Sequence, residues 1–213
     1  MLVQSITRNS LILAAFALFT AGALAFTFGG TKDYIKEQER RAAARALLEI
    51  VPASRHDNDL LDETWPIPEA LRKELGLSKG NAIHIATNKG QAVAVIIPAT
   101  APDGYSGDIH MLIGVNVDGS IAGVRVLSHK ETPGLGDKVD IKKSKWILSF
   151  NTLSLNDPDP KFWKVKKDGG YFDQFTGATI TPRAVVNQVR ETLEFYKAHK
   201  QEILADYIEE PEK

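Results

Sequence analysis

The chain has 213 residues, 43% of them apolar, with 26 Lys and Arg against 27 Asp and Glu for a formal charge of -1. That near balance gives no reason to expect nucleic acid as a partner, and the length supports one good core once an anchor is subtracted. The absence of cysteine excludes thiol catalysis, disulfides and thiolate-held iron–sulfur clusters, so any electron carrier must be organic or held differently.

Asn9 to Thr31 carry no charge, and Leu11 to Phe28 form their most apolar stretch. At about 1.5 Å per residue, such a run crosses a hydrocarbon core of roughly 30 Å once. A cleaved leader competes with this reading, with Arg8 as its charged start and Ala23-Leu24-Ala25 as a small-x-small site. We expect the segment to be retained as an anchor. Only Arg8 and the amino terminus precede it, whereas Lys32, Lys36, Arg40 and Arg41 follow, so the positive-inside tendency alone places the rest of the chain in the cytoplasm. Asp33 to Ile50 reads as a charged helix ending near Val51-Pro52, rich in strong helix formers from Ala42 to Leu48. The expected organisation is an anchor at 1–31, a helical stalk at 32–52 and a soluble domain at 53–213.

Residues 53–80 contain Pro66, Pro68, Gly76 and Gly80 and read as irregular, with a short helix near Glu69 to Leu75. The pattern then changes. Ala82 to Thr87, Gln91 to Pro98, Ile109 to Val117 and Ser120 to Ser128 are rich in Ile and Val and are separated by turn residues, including Asn88-Lys89-Gly90 and Asp118-Gly119. They predict an antiparallel meander in which Ile113 to Val117 pairs with Ile121 to Leu127 across the Asp118-Gly119 turn. Val139 to Phe150 reads as a helix bearing Trp146, and Asn151 to Asp159 as a polar loop. Helices around an antiparallel sheet make the fold class α+β.

Directly after the last strand comes Glu131-Thr132-Pro133-Gly134-Leu135-Gly136-Asp137-Lys138. Its proline and two glycines bring backbone close to whatever occupies an adjoining cleft, although a plain glycine-rich connector has the same composition. It is no dinucleotide fingerprint, because the third glycine is missing and the preceding strand belongs to a meander. His129 is the obvious acid or base here, yet nothing nearby offers a nucleophile to activate, and His84, His110 and His129 have no metal-ligand spacing. The basic runs Lys142 to Lys145 and Lys164 to Lys167 read as solvated faces or docking patches.

The most informative segment is Asp173-Gln174-Phe175-Thr176-Gly177-Ala178-Thr179-Ile180-Thr181-Pro182. Thr181-Pro182 has the form of an N-cap and N1 pair, and Val185, Val189, Leu193 and Tyr196 continue at helical spacing. Gly177 and Ala178 add little bulk ahead of the helix, so amides and the positive end of its dipole can face an anion, with the Thr179 hydroxyl pointing into that site. An ordinary turn into a capped helix fits the same residues. A nucleotide P-loop does not, since no lysine follows the glycines.

Asp173-x-x-Thr176-Gly177-Ala178-Thr179 resembles the motif of flavin-binding domains in which FMN is joined through its phosphate to the last threonine. Glu131 to Lys138 resembles the second signature of the same domains. Together, with Ala101 to Gly107, Lys166 to Gly170 and the single anchor, the chain is similar over its length to the G subunits of Rnf (Rsx) ion-translocating electron-transport complexes. The resemblance implies covalent FMN on Thr179, with Asp173, Thr176, Gly177, Ala178, Glu131, Thr132, Gly134, Leu135 and Gly136 around it. It also implies other membrane subunits as partners, a magnesium-dependent flavin transferase for maturation, and a domain on the periplasmic side of a bacterial inner membrane, against the charge count. The C subunit of the sodium-translocating NADH:quinone oxidoreductase carries the same kind of motif and is the runner-up. A cofactor-free tethered binding or assembly module is the alternative from another class.

Overall fold

The computed structural model describes residues 2–207, so the last six residues of the expected soluble domain lie outside the described residues. The chain divides into two compact units, Met1–Ala43 and Ala44–Lys213. The first consists of most of helix α1, Leu2–Leu48. Within it Ile6–Phe28 has a mean hydropathy of 2.2 and is long and apolar enough to cross a membrane, beginning three residues before the expected run. Leu11, Phe19 and Phe26 project outward, unburied by protein. Thr20 and Thr27 donate their hydroxyls to the carbonyls of Phe16 and Ala23 four residues back, at 2.9 and 2.7 Å, which satisfies polar groups that lipid cannot.

The second unit is built on a five-stranded antiparallel sheet whose spatial order follows the chain: β1 Thr64–Pro66, β2 Ala82–Asn88, β3 Gln91–Ala101, β4 Ile109–Asn116 and β5 Ile121–Ser128. The predicted hairpin is present, with Ile113 opposite Val124 and Val115 opposite Ile121. Because side chains alternate along a strand, β3 divides its residues between two cores. Val95 and Ile97 face the larger core beneath helix α2, Ile180–Ile203, where Val185, Val189, Leu193 and Tyr196 supply the predicted apolar stripe. Ala94 and Ile96 face the smaller core, closed by Leu47, Ile50, Val51 and Leu60.

Contact on this second face depends on two small residues. Gly114 of β4 lies opposite Gly123 of β5, and a Cβ on Gly114 would stand 2.2 Å from Cγ2 of Ile50. The paired glycines form a trough that receives the isoleucine. Gly114→Ala is therefore expected to destabilise the domain by about 1–3 kcal/mol through overpacking, read as a lowered urea midpoint. An unchanged midpoint would contradict this packing.

His84 ties residues 53–63 to the sheet, donating from Nδ1 to the Leu60 carbonyl at 2.7 Å. Burial holds its pKa below the usual 6.5, against the raising influence of that hydrogen bond. The folded state then binds fewer protons than the unfolded chain just below pH 6.5. Stability from this site is complete above that value and declines as the pH falls toward the depressed folded pKa. Unfolding midpoints compared on either side of pH 6.5 should show the decline in the wild type and a smaller one in His84→Asn.

Three sequence expectations need correction. Val139 to Phe150 is two short 3-10 turns, Gly136–Val139 and Lys145–Phe150, instead of one helix. Asp140 ends the first turn with extended backbone at ψ 129°, and its side chain accepts from the Lys142 amide at 2.9 Å, so local side-chain bonding replaces helical continuation. Ser144 then caps the second turn by accepting from the Trp146 amide. The predicted N-cap at Thr181 is displaced, since α2 begins at Ile180 and Thr181 and Pro182 are buried in its first turn. β1 was not anticipated, being three residues long with a proline. The short helix at Glu69–Leu75 is present as a 3-10 helix.

Candidate functional site

Thr179 is presented by a tight turn braced from the core. The Ala178 amide donates to the Phe175 carbonyl at 3.1 Å, and Gly177 adopts φ 82°, a conformation that favours glycine. Trp146 fixes the approach to this turn, donating from Nε1 to the Asp173 carbonyl at 2.8 Å and packing edge-on against Phe175 at 5.1 Å. Thr179 follows at the entrance to α2, half-buried, with no capping hydrogen bond from its side chain.

The second wall is the Glu131 to Gly136 loop. Its Thr132 carbonyl accepts from the amides of Leu135 and Gly136, both at 3.1 Å, and Gly134 supplies φ 78° at the bend. A Cβ on Gly177 would meet Leu135 Cδ2 at 3.3 Å, so the two loops approach closely. Tyr105, from the β3–β4 connection, completes the third side. Between them lies a cleft of about 330 Å³.

One buried carboxyl group joins all three walls. Glu131 is 4% exposed; its Oε1 accepts from the Ser106 amide at 2.8 Å, and its Oε2 accepts from the Thr181 hydroxyl. Thr181 lies inside the first turn of α2, one residue past its start, and its hydroxyl donates to the carboxylate fifty residues upstream. Gly136 is small for the same reason, because a Cβ there would stand 2.7 Å from Thr181 Oγ1 and 2.8 Å from Glu131 Oε2. His129 supports the arrangement from behind, its Nδ1 accepting from the Glu131 amide at 3.1 Å.

Among the sequence candidates, Glu131, Thr132, Leu135, Gly136, Gly177, Ala178 and Thr179 line the cleft. Asp173, Thr176 and Gly134 are not among its lining residues. Asp173 points to solvent and pairs with Lys166 at 2.6 Å, and Thr176 is exposed on the outside of the turn. Tyr105, Ser106, Ile180 and Thr181 were missed as site residues; Thr181 was misread because a hydroxyl before proline has the form of a cap. Asp168 and Arg183 form a bidentate pair at 2.7 and 3.0 Å beside the first turn of α2. That hydrogen bonding holds the Asp168 carboxyl below its usual range. No group of histidines and carboxylates suited to a metal occurs among the described residues.

Residues 104–194 match the FMN-binding domain family, and residues 1–50 match the RnfG N-terminal region. The chain is 47% identical over 203 residues to the G subunit of the ion-translocating oxidoreductase complex of Vibrio vulnificus, covering 95% of each protein. It is 48% identical over 202 residues to the corresponding G subunit of Pseudomonas aeruginosa, covering 95% of this chain and 94% of that one. With the G subunit of Shewanella amazonensis it shares 47% identity over 199 residues, or 93% and 92% of the two chains. The FMN-binding match spans every residue that lines the cleft. This chain therefore belongs to the family of G subunits of ion-translocating oxidoreductase complexes and carries that family's FMN-binding domain.

Proposed function

We propose that this protein is the electron-carrier subunit of a membrane-bound ion-translocating oxidoreductase complex of the Rnf type, with FMN joined through its phosphate to Thr179. The carrying observation is the Thr179 hydroxyl, set in the cleft without a capping bond at the start of α2. Pro182 has no N–H, and the amides of Ile180 and Thr181 have no intrahelical partner, so a phosphate there would meet donors and the positive end of the helix.

The residues present fit the cofactor. The cleft volume lies within the range of about 300–1,000 Å³ usual for small-molecule sites. Tyr105, Leu135 and Ile180 offer apolar surface for a ring system, and Thr132 with its loop offers polar groups for a ring edge. Bound FMN supplies reversible acceptance and release of electrons. The chain's part is to orient it: Thr179 tethers, Gly177 and Gly136 let the walls pack closely on one another, and Glu131 fixes those walls. No residue here is assigned to catalysis, and we assign the protein no small-molecule substrate of its own.

An alcohol hydroxyl is too weakly acidic to attack a phosphoanhydride unaided, so attachment calls for an enzyme; the resemblance implies a magnesium-dependent flavin transferase, with the Thr179 oxygen bonding to the flavin-side phosphorus of FAD as the pyrophosphate bond breaks and AMP leaves. Asp173 and Thr176, exposed outside the cleft, are suited to recognition by that enzyme. The membrane segment supplies an anchor, with residues 32–52 as a stalk, and one helix cannot form an ion path, so translocation belongs to other membrane subunits. We assign the soluble domain to the periplasmic side on the strength of the resemblance and against the flanking charge, which long domains can override. Family membership favours this reading over the C subunit of the sodium-translocating enzyme.

The test is a reductive titration of the complex isolated from membranes. Flavin absorbance belonging to this subunit should bleach on reduction and return on reoxidation by the complex's acceptor. A colourless subunit in an active complex would favour the cofactor-free assembly module.

A further inference from the structure

The segment leading into the turn that presents Thr179 is braced from below. Val165 bridges Phe172, the Lys166 amide donates to the Phe172 carbonyl at 2.7 Å, and the Tyr171 amide donates to the Phe162 carbonyl at 2.9 Å. Phe172 is buried, stacked on Phe150 at 4.5 Å and tilted against Trp163 at 5.2 Å. Gly170 leaves no room for a side chain, since a Cβ would stand 1.9 Å from the Lys164 carbonyl oxygen. On this fixed backbone two aromatic side chains remain uncovered, Tyr171 at 51% and Phe162 at 41% exposure. Exposed aromatics held in place at little entropic cost are the usual anchors of a protein interface.

Positive charge surrounds them. Residues 138–183 carry nine Lys and Arg against five Asp, although the whole chain has a formal charge of -1. Three of those aspartates are engaged within the segment: Asp159 pairs with Lys161 at 3.4 Å, Asp168 with Arg183 at 2.7 Å and Asp173 with Lys166 at 2.6 Å. Asp140 and Asp157 are left against Lys138, Lys142, Lys143, Lys145, Lys164 and Lys167, none of which forms an ion pair among the described residues.

Several contacts bring this surface to the edge of the flavin turn. The Lys167 amide donates to Gln174 Oε1 at 3.1 Å, and Lys145 precedes Trp146, whose indole holds the Asp173 carbonyl. Asp168 grips Arg183, which lies one helical turn past Thr179 and donates its amide to the Thr179 carbonyl at 3.3 Å.

We propose that this lysine-rimmed aromatic surface docks the enzyme that attaches the flavin, and that the enzyme meets it with an acidic face. The inference rests on the reading of Thr179 as the tether. An enzyme that forms a bond to Thr179 must sit over the turn and cover what borders it, whereas electrons can pass to or from a flavin through intervening protein. Exposed charges act mainly on encounter, so the lysines speed capture of the enzyme and the aromatics hold it once docked.

The test follows flavin attachment to the full apo chain in detergent by the flavin transferase of the same host, supplied with FAD and magnesium and read by in-gel flavin fluorescence. Lys145→Glu, Lys164→Glu and Lys167→Glu combined should lower kcat/KM for the protein about tenfold, leave the KM for FAD unchanged, and flatten the fall in rate that added salt produces in the wild type. Tyr171→Ser should lower kcat/KM as well but keep the salt dependence. Lys89→Glu with Lys197→Glu, outside the segment, should change neither. A triple variant modified at the wild-type rate, or a wild-type rate indifferent to salt, would overturn the docking surface while leaving the tether in place. So would a raised KM for FAD alone, which would put the lysines on the nucleotide. Slowed electron transfer in a preloaded complex, with attachment at the wild-type rate, would give the surface to an electron partner and overturn the proposal too. A wild-type chain that takes no flavin would overturn the tether, and the docking surface with it.

Discussion

Thr179→Ala is expected to give a folded, membrane-inserted protein that carries no attached flavin. The side chain makes no capping hydrogen bond, so the usual cost of losing a helix cap, about 0.5–2 kcal/mol, does not arise. A stability change within about 0.5 kcal/mol is expected, as for other positions outside the core. The effect on attachment is all or none. Flavin fluorescence in a denaturing gel should be present in the wild type and absent from the variant, with equal expression and equal thermal midpoints. Fluorescence persisting at the band of the variant would mean that another residue bears the ester. Loss of folding together with loss of flavin would mean instead that Thr179 holds the turn.

Glu131→Ala should produce the largest loss of stability of any single change around the cleft. It removes the acceptor of the Ser106 amide and of the buried Thr181 hydroxyl, leaving both donors without partners in a site that is 4% exposed. Hydrogen bonds to a carboxylate contribute about 1.5–3 kcal/mol each, and orphaned donors about 1–3, so with incomplete additivity a cost of about 2–4 kcal/mol is expected. Glu131→Gln keeps an oxygen for one donor and should cost roughly half as much. Urea unfolding of the two variants checks the order. An alanine variant within about 0.5 kcal/mol of wild type would show that the three walls are held by other contacts.

The sheet was legible because its strands announce themselves through β-branched runs and through turns such as Asp118-Gly119, where glycine adopts φ 90°. The α2 stripe was legible for a similar reason, since Val185, Val189, Leu193 and Tyr196 recur at helical spacing and are buried. What failed was local chemistry with two outlets. Thr181 before Pro182 has the form of a cap, but its hydroxyl serves Glu131 across the fold, and no window of neighbouring residues contains that acceptor. Asp140 and Ser144 broke a plausible helix by bonding to nearby amides, a competition that hydrophobic spacing does not register.

The candidate site was partly legible for the same reasons. Both glycine-bearing loops were visible as places where backbone comes close, and Thr179 stood out beside them. The third side was not. Tyr105 and Ser106 sit in a connection with no pattern of its own; Tyr105 lines the cleft, and the Ser106 amide next to it donates to Glu131. Asp173 and Thr176 belong to the motif yet are exposed and do not line the cleft.

The most direct test of the account is peptide mapping by mass spectrometry across residues 171–183 of protein purified from its own host. The account predicts the added mass of an FMN phosphoryl group on Thr179, with Thr176 and Thr181 unmodified. An unmodified Thr179 in cells whose flavin transferase is active, or the flavin found on Thr176, would contradict it.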